Sequence, residues 1–252
     1  MLNGKINTNI TKEIGRITFY TKKDIKININ SIKQITIKHQ NGKYYMGIVY
    51  ESQIFQKPYK SNTKIGIDLG MKTSAVCYDG NKYFNYKLPD MVFKLRNKKD
   101  KINSKFSQAK NNSKNKLKLL KRLNKACSRM CNFRNNWQDH IVCDLCKKYE
   151  TIIIDKMPAA GKSLKNLNSK LFSIAVFRFT QKFEIKSMEL QNNIIIVEPG
   201  TPTTQTCSNC GNVKSKEDKL TLKDRTYICN SCNHVQDRDE NAACNIYNYN
   251  YK

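Results

Sequence analysis

The chain has 252 residues, and 46 Lys and Arg against 20 Asp and Glu give it a formal net charge of +26. Self-repulsion on that scale opposes a compact monomer, so we expect a polyanionic partner, with nucleic acid as the leading class. The hydrophobic fraction of 39% suffices for a packed core. The first thirty residues lack an apolar run, and no eighteen uncharged apolar residues are consecutive, so we expect neither a signal peptide nor a membrane span. We therefore expect a cytoplasmic protein without a membrane partner, associated with the nucleoid if its host is a prokaryote.

The first 60 residues alternate apolar and polar positions and predict a short β segment. Asn41-Gly42 is a type I′ hairpin signal between two of these runs. The block that begins at Lys64 holds three short apolar runs, separated by turns at residues 69–72 and 79–80. It predicts a three-stranded meander.

A strongly basic segment follows. Residues 94–134 contain 15 Lys or Arg and one acid, Asp100, so more than half of the net charge lies here. Apolar residues at three-and-four spacing from Leu117 and Leu120 to Ile141 predict an amphipathic helix, and we expect a helical hairpin over residues 92–148, broken near 109–115. Few acids compensate the charge, which favours contacts with phosphates, and a merely solvated face is the alternative. The candidate nucleic-acid-binding residues are Lys110, Lys114, Lys116, Lys118, Lys121, Arg122, Lys125 and Arg129.

The second half of the chain alternates strands and helices. TIIID at 151–155 predicts a buried central strand that ends in a carboxylate. A helix over roughly 169–190, a second apolar strand, a cysteine-bearing insertion and a final helix follow. This order of elements predicts an α/β domain.

Four cysteines form the pattern C-x2-C-x18-C-x2-C: Cys207, Cys210, Cys229 and Cys232. The spacing is typical of four-thiolate zinc ribbons, and a closed thiolate set predicts a structural Zn2+. Gly211 and Asn233 follow the two cysteine pairs, where a positive φ is useful. Four unrelated buried cysteines are the alternative.

Four further cysteines fall in the predicted hairpin. Cys127 with Cys131, and Cys143 with Cys146, are four and three residues apart. A buried helical face produces the same spacing, so we interpret them as small core residues, with a second metal site as the alternative.

Three aspartates stand where the ends of strands and helices can converge: Asp68 in IGIDLG, Asp155 in TIIIDKM and Asp239 in DRDENAACNI. A carboxylate in an apolar strand is unfavourable unless it is paired or bound to a metal. Carboxylate oxygens suit Mg2+ or Mn2+, and two such ions about 4 Å apart can activate water and stabilise the leaving oxygen in phosphodiester hydrolysis. The three residues therefore predict a Mg2+ site, and a structural role for them is the alternative.

Together these motifs resemble the TnpB (OrfB) family of insertion-sequence proteins. The resemblance rests on IGIDLGMKTSAV, the basic hairpin, IIIDKM, and the run from TPTTQTCSNCG to DRDENAACNI. It implies an RNase H-like (RuvC-type) mixed sheet with an inserted basic hairpin and zinc ribbon, and an RNA-guided DNA endonuclease related to type V CRISPR effectors. Its partners would be a guide RNA and DNA, and its catalytic acids Asp68, Asp155 and Asp239. The implied domains are a remnant of a β-barrel wedge domain at 1–60, a nuclease core at 61–200, the ribbon at 201–236 and a last RuvC-like helix at 237–252.

Two departures from the family pattern define the competing hypotheses. The family usually has Glu followed by Asp at the second acidic motif, whereas Asp155 is followed by Lys156, which withdraws the carboxylate by ~1.5 Å and adds a positive charge. Glu198, at the end of the apolar run IIIV, is a further carboxylate. Members also usually carry a helical recognition lobe and most of the wedge domain before the point where this sequence begins. We therefore weigh a Mg2+-dependent endonuclease against a truncated or non-catalytic nucleic-acid-binding relative, and rank a strand-transferring transposase last.

Overall fold

The computed structural model describes residues 5–9, 15–20, 28–40, 42–51, 62–70, 73–155, 175–221 and 223–249. The chain divides into two compact units, Met1–Ile54 and Phe55–Lys252. Every predicted site residue belongs to the second unit.

The first unit contains two antiparallel strand pairs. Strand β1 (Lys5–Asn9) pairs with β2 (Arg16–Tyr20), and β3 (Ile32–Gln40) pairs with β4 (Lys43–Tyr50). Gly42, between β3 and β4, has φ of 75°, which suits the predicted hairpin turn. The short N-terminal β segment is thus confirmed, and its assignment to a wedge domain stays a prediction.

The second unit is built on a five-stranded mixed sheet with the order β7-β6-β5-β8-β9. Strands β5, β6 and β7 pair antiparallel as the predicted meander, and β8 and β9 continue the sheet in parallel on the other side of β5. This arrangement confirms the predicted mixed α/β fold. The strands are β5 (Lys64–Asp68), β6 (Ala75–Tyr78), β7 (Tyr83–Tyr86), β8 (Thr151–Asp155) and β9 (Asn193–Val197).

Two basic helices connect β7 to β8 and form the predicted hairpin. Helix α1 spans Asp90–Gln108 and helix α2 spans Lys114–Lys148. Ser113 caps α2, because its side chain accepts a hydrogen bond from a backbone N–H in the first turn. The two helices share a small core made by Ile102, Leu119 and Ala126.

The prediction of a single apolar face along α2 is only partly correct. Met130 and Ile141 are buried, but Leu117 and Leu120 are 58% and 38% exposed. The helix is about 52 Å long, and its first half packs against α1 while its second half packs against the sheet and the next helix. Its buried stripe therefore does not follow one straight row of side chains.

Helices cover both faces of the sheet. Helices α2 and α3 (Val176–Leu190) cover one face, and α4 (Arg238–Tyr247) covers the other. The part of the predicted helix before residue 175 lies outside the described residues. The first core is made around Ile65, Ile67, Ile152, Ile154, Phe179 and Phe183, and the second around Ile153, Val197 and Ile246.

The cysteine-bearing insertion carries a short antiparallel pair, β10 (Thr226–Ile228) and β11 (Val235–Asp237), immediately before α4. None of the helices in the described part of the chain combines the length and the apolar character that crossing a membrane requires.

Candidate functional site

Asp68 and Asp155 end two neighbouring parallel strands. Strands β5 and β8 pair in register, with Asp68 opposite Asp155. Because alternate residues of a strand share a face, these two side chains stand on the face of Gly66 and Ile153, which α4 covers. The carboxyl ends of parallel strands are where α/β sheets commonly build their sites.

Helix α4 brings Asp239 to the same edge. Gly66 lies so close to α4 that an added Cβ would stand 2.4 Å from the backbone N of Tyr247 and 2.7 Å from the carbonyl O of Ala243. Asp239 is one helical turn before Ala243, about 6 Å along the axis, and Asp68 is two residues beyond Gly66, about 6.6 Å along the strand. Asp239 acts electrostatically on Asp68, so the first turn of α4 faces the end of β5.

The first turn of α4 is held by hydrogen bonds and ion pairs. The Asp237 carboxylate accepts from the backbone N–H of Asp239 at 2.9 Å and of Glu240 at 3.3 Å, which caps the helix. The Asp239 carboxylate pairs with Arg238, whose Nη2 is 3.1 Å away, and with Arg225, whose Nη1 is 3.7 Å away. Its charge is therefore balanced by two guanidinium groups.

Burial and like charge change the acidity of the strand aspartates. Burial raises the pKa of Asp68 to about 7, with repulsion from Asp239 and Asp155 adding to the effect and Arg238 opposing it. Burial also raises the pKa of Asp155, and a hydrogen bond from Thr203 acts against that rise. The Thr203 hydroxyl donates to Asp155 Oδ2 at 2.7 Å. A cation shared by the carboxylates would relieve this repulsion.

The aspartates suit a hard divalent cation by chemistry, since carboxylate oxygens from adjacent strands are the donors that Mg2+ prefers. They are less closely gathered than the ribbon cysteines. Among the described residues, the only group of three or more His, Cys, Asp or Glu whose ligand atoms all lie within 4.8 Å of one another is the cysteine set. Asp239 would have to leave its arginine partners to join a cation bound by Asp68 and Asp155.

Glu198 stands just beyond the acidic cluster. It follows Val197, the β9 residue paired with Asp155, and it is exposed. Its backbone N–H donates to the Tyr249 hydroxyl at 3.4 Å. Lys156, the residue that departs from the family pattern, lies outside the described residues.

The structure brings the four predicted ribbon cysteines together. Cys207 Sγ is 3.7 Å from Cys232 Sγ, and Cys210 Sγ is 3.6 Å from Cys229 Sγ. Four thiols at this separation fit one tetrahedral metal ion. The set can therefore hold a metal such as zinc.

The turns of the ribbon have the backbone geometry expected from the sequence. Gly211 has φ of 75° and donates its N–H to the Cys207 carbonyl at 2.9 Å, and Asn233 has φ of 57° and donates to the Cys229 carbonyl at 3.0 Å. The backbone N–H of Cys232 donates to the Cys229 sulfur and lowers the pKa of the Cys229 thiol to about 6. Backbone donors thus favour a thiolate, which is the form that binds metal.

The other paired cysteines of α2 do not form such a group within the described residues. Cys146 is completely buried in the main core, and Cys127, Cys131 and Cys143 are half-buried. These positions suit small core side chains.

Seven of the predicted nucleic-acid-binding residues lie on α2, and Lys110 lies in the connection between α1 and α2. Seven of the eight are exposed, and Lys116 is half-buried, with its Nζ 2.7 Å from Asn111 Oδ1 and 5.0 Å from the centre of the Phe106 ring.

The lysines of α1 were not among the predicted nucleic-acid-binding residues. A cleft of ≈ 470 Å³ between α1 and α2 is lined by Lys94, Asn97, Lys98, Lys101, Ile102, Lys105, Leu119 and Arg122. The four cleft lysines are spaced four, three and four residues apart, which places them on one face of a helix, and this spacing could have been seen in the sequence.

Thr203, Arg225 and Arg238, which contact the acidic cluster, were also missed. Arg238 adjoins Asp239 in the sequence, so its proximity could have been inferred. Thr203 and Arg225 reach the cluster through the fold of the insertion, and no local pattern marks them.

Two family models match the chain. The model described as a probable transposase, OrfB of IS605, matches residues 47–164, and the model of the Cas12f1-like TNB domain matches residues 177–246. TnpB-like protein L79 of Acanthamoeba polyphaga mimivirus is 31% identical over 74% of this chain and 37% of its own length. The putative RNA-guided DNA endonuclease InsQ of Escherichia coli (strain K12) is 22% identical over 85% of this chain and 56% of its own length.

Solved structures agree on the fold. A Cas12f ternary complex matches with a TM-score of 0.58 at 23% identity, covering 83% of this chain and 43% of that chain. A complex of Cas12f1 with sgRNA and target DNA matches with a TM-score of 0.50 at 20% identity, covering 85% and 55%. The chain spans only 37% to 56% of the length of the curated relatives named above. With both family models, the TnpB-like relatives and the fold in agreement, the chain belongs to the TnpB/OrfB family of insertion-sequence proteins.

Proposed function

We propose that the chain is an RNA-guided DNA endonuclease that hydrolyses phosphodiester bonds at Asp68, Asp155 and Asp239. The observation that carries the proposal is the register of β5 and β8, which puts two half-buried carboxylates side by side at the sheet edge that α4 reaches with a third. InsQ, named as a putative RNA-guided DNA endonuclease, supports the guide RNA and the DNA substrate, and a relative named as the CRISPR-associated endodeoxyribonuclease Cas12f1 supports the DNA substrate.

The aspartates would hold the cations of the reaction. Mg2+ bound there would supply an activated water and stabilise the leaving oxygen. Asp68 and Asp155 provide donors from rigid, buried strands, so their spacing is set by the sheet. The raised pKa of Asp68 makes cation binding compete with a proton near neutral pH, which predicts weaker binding below about pH 7.

Arg238 and Arg225 neutralise Asp239 before a cation arrives. If Asp239 turned to a cation, Arg225 and Arg238 could contact phosphate oxygens of the substrate, with Arg238 Nη1 still donating to the Thr221 carbonyl. The ion pairs therefore offset part of the Asp239 charge, although Asp239 still adds to the repulsion at Asp68 in the absence of a cation.

The basic hairpin binds the nucleic-acid backbone. Its charge is carried by exposed lysines on α2 and by the lysine row of the α1–α2 cleft. In the described part of the chain these lysines make no ion pair with an acid, which favours sequence-independent phosphate contacts, while base pairing with the guide reads the target. The ribbon, with structural Zn2+ on its four cysteines, fixes the segment that leads into α4.

The test is guided cleavage by the full chain. RNA that co-purifies with the protein is sequenced, and plasmid DNA that matches it is supplied with Mg2+. We expect cutting by the parent and by Asp144→Ala, an exposed aspartate on α2, and no detectable cutting by Asp68→Ala. An RNA-loaded parent that does not cut, or an Asp68→Ala variant that cuts at the parent rate, contradicts the proposal.

A nucleic-acid-binding protein without nuclease activity is the second candidate. It is favoured by the shorter Asp155 followed by Lys156, and by the ion pairs that occupy Asp239. Affinity for Mn2+, used as a probe for Mg2+, separates the two. This candidate predicts tight RNA and DNA binding whose affinity does not change when Mn2+ is added.

A further inference from the structure

The segment that joins β9 to the ribbon, residues 198–206, passes directly beside the acidic cluster. Thr203 in this segment is 5% exposed, and its hydroxyl donates to Asp155 Oδ2 at 2.7 Å across 48 positions of sequence. A hydrogen bond to an ionised acceptor is roughly twice as strong as one between neutral groups. The contact fixes one oxygen of the shortened Asp155 side chain.

Neighbouring threonines behave differently. Thr201 Oγ1 donates to the Glu198 carbonyl at 2.8 Å, and Thr206 Oγ1 donates to the Pro202 carbonyl at 2.8 Å. Such local bonds to the backbone are the usual way in which a threonine hydroxyl in a turn is satisfied. Thr203 instead directs its hydroxyl to a distant carboxylate.

Two asparagines of α4 set the position of this segment. Asn245 Nδ2 donates to the carbonyls of Thr203 at 2.8 Å and Thr206 at 2.7 Å. Asn241 is fully buried, donates to the Thr206 carbonyl at 2.7 Å, and accepts from the backbone N–H of Ser208 at 2.9 Å. The helix that carries Asp239 therefore also fixes the backbone from which Thr203 reaches Asp155.

We propose that Thr203 is a positioning residue for Asp155, and that Asn245 and Asn241 of α4 hold it in place. The hydroxyl anchors one carboxylate oxygen and leaves the other available to a cation. This inference rests on the proposed cation site and deepens it. It also gives a physical reason why an Asp can act as a cation ligand at a position where the family usually has Glu. The anchored side chain of Asp155 is already held in one conformation before the cation binds.

The test is the affinity of the full chain for Mn2+, measured by electron paramagnetic resonance of the free ion. Thr203→Val removes the donor with little change in shape, Thr203→Ser keeps it, and Thr201→Val is the matched control. We expect Mn2+ binding weakened about 10- to 100-fold for Thr203→Val, and close to the parent for the other two. Zinc content and melting temperature report whether each variant is folded, and Asp155→Ala identifies the binding as belonging to this site.

The outcomes separate the inference from the proposed function. Parent-like Mn2+ affinity of Thr203→Val, or Thr203→Ser as weak as Thr203→Val, overturns the inference even if guided cleavage is intact. Mn2+ binding that depends on the Thr203 hydroxyl in a protein that never cuts DNA upholds the inference and refutes the nuclease. A parent protein without Asp155-dependent Mn2+ binding overturns both.

Discussion

Replacing Asp68 by Asn should stabilise the metal-free protein at alkaline pH. Asn keeps the shape of the side chain but cannot ionise, so the variant avoids a half-buried charge beside Asp155 and Asp239. The pKa of Asp68 rises from 3.8 to about 7 on folding. The contribution of Asp68 to stability is therefore fully present below pH 3.8, is lost as the pH rises through 7, and levels off above it. Between pH 5 and pH 8 that loss is about 2.5 kcal/mol.

Trp137 provides the assay. It is the single tryptophan of the chain, and its ring lies 5.9 Å from that of Phe179 in the main core, so its fluorescence follows unfolding of the second unit. Urea unfolding of parent and Asp68→Asn without added Mg2+ should show the variant gaining about 2.5 kcal/mol relative to the parent between pH 5 and pH 8. Asp144→Asn, on the exposed side of α2, is the control and should show no such trend. A difference that does not change with pH refutes the electrostatic reasoning.

Three further predictions concern packing, zinc and charge. Gly66→Ala places a Cβ against the backbone of α4, so guided cutting should be lost and the melting temperature lowered. Gly47→Ala is the control, because the atom nearest to its added Cβ would be 3.9 Å away, and it should melt like the parent. Cys229→Ser should lower the bound zinc measured by mass spectrometry and the melting temperature, and unchanged values of both would rule out the ribbon metal. Neutralising Lys98 and Lys101 should reduce the salt dependence of nucleic-acid binding by roughly 0.7 to 0.9 logarithmic units per lost phosphate contact, and an unchanged slope would make the cleft a solvated surface.

The sequence predicted features that depend on local pattern. The apolar run of TIIID identified β8, and two parallel strands ending in Asp68 and Asp155 could be expected to share an edge. The cysteine spacing and the positive φ of Gly211 were predictable for the same reason, since each is fixed by a short turn.

Features that depend on distant contacts were not predicted. Leu117 and Leu120 share the helical periodicity of truly buried positions, but α1 packs on Leu119 and Ala126, and the sequence does not reveal which side it takes. The hydrogen bond from Thr203 to Asp155 joins residues that only the tertiary fold brings together.

The close approach of Gly66 to α4 was missed as well. Glycine in a strand can mark a bulge or a close backbone contact, and the sequence alone does not decide between them. Here the contact sets the distance between Asp68 and Asp239, so the geometry of the cluster depends on a residue without a side chain.

The central claim is that the three aspartates bind a divalent cation, and anomalous X-ray diffraction from crystals of the RNA-loaded protein soaked in Mn2+ tests it most directly. We predict a manganese peak at about 2.1 Å from carboxylate oxygens of Asp68 and Asp155, with Asp239 turned away from Arg238. The ribbon metal, measured at the zinc edge, is the internal control. A crystal that shows zinc at the four cysteines and no manganese at the aspartates would contradict the claim.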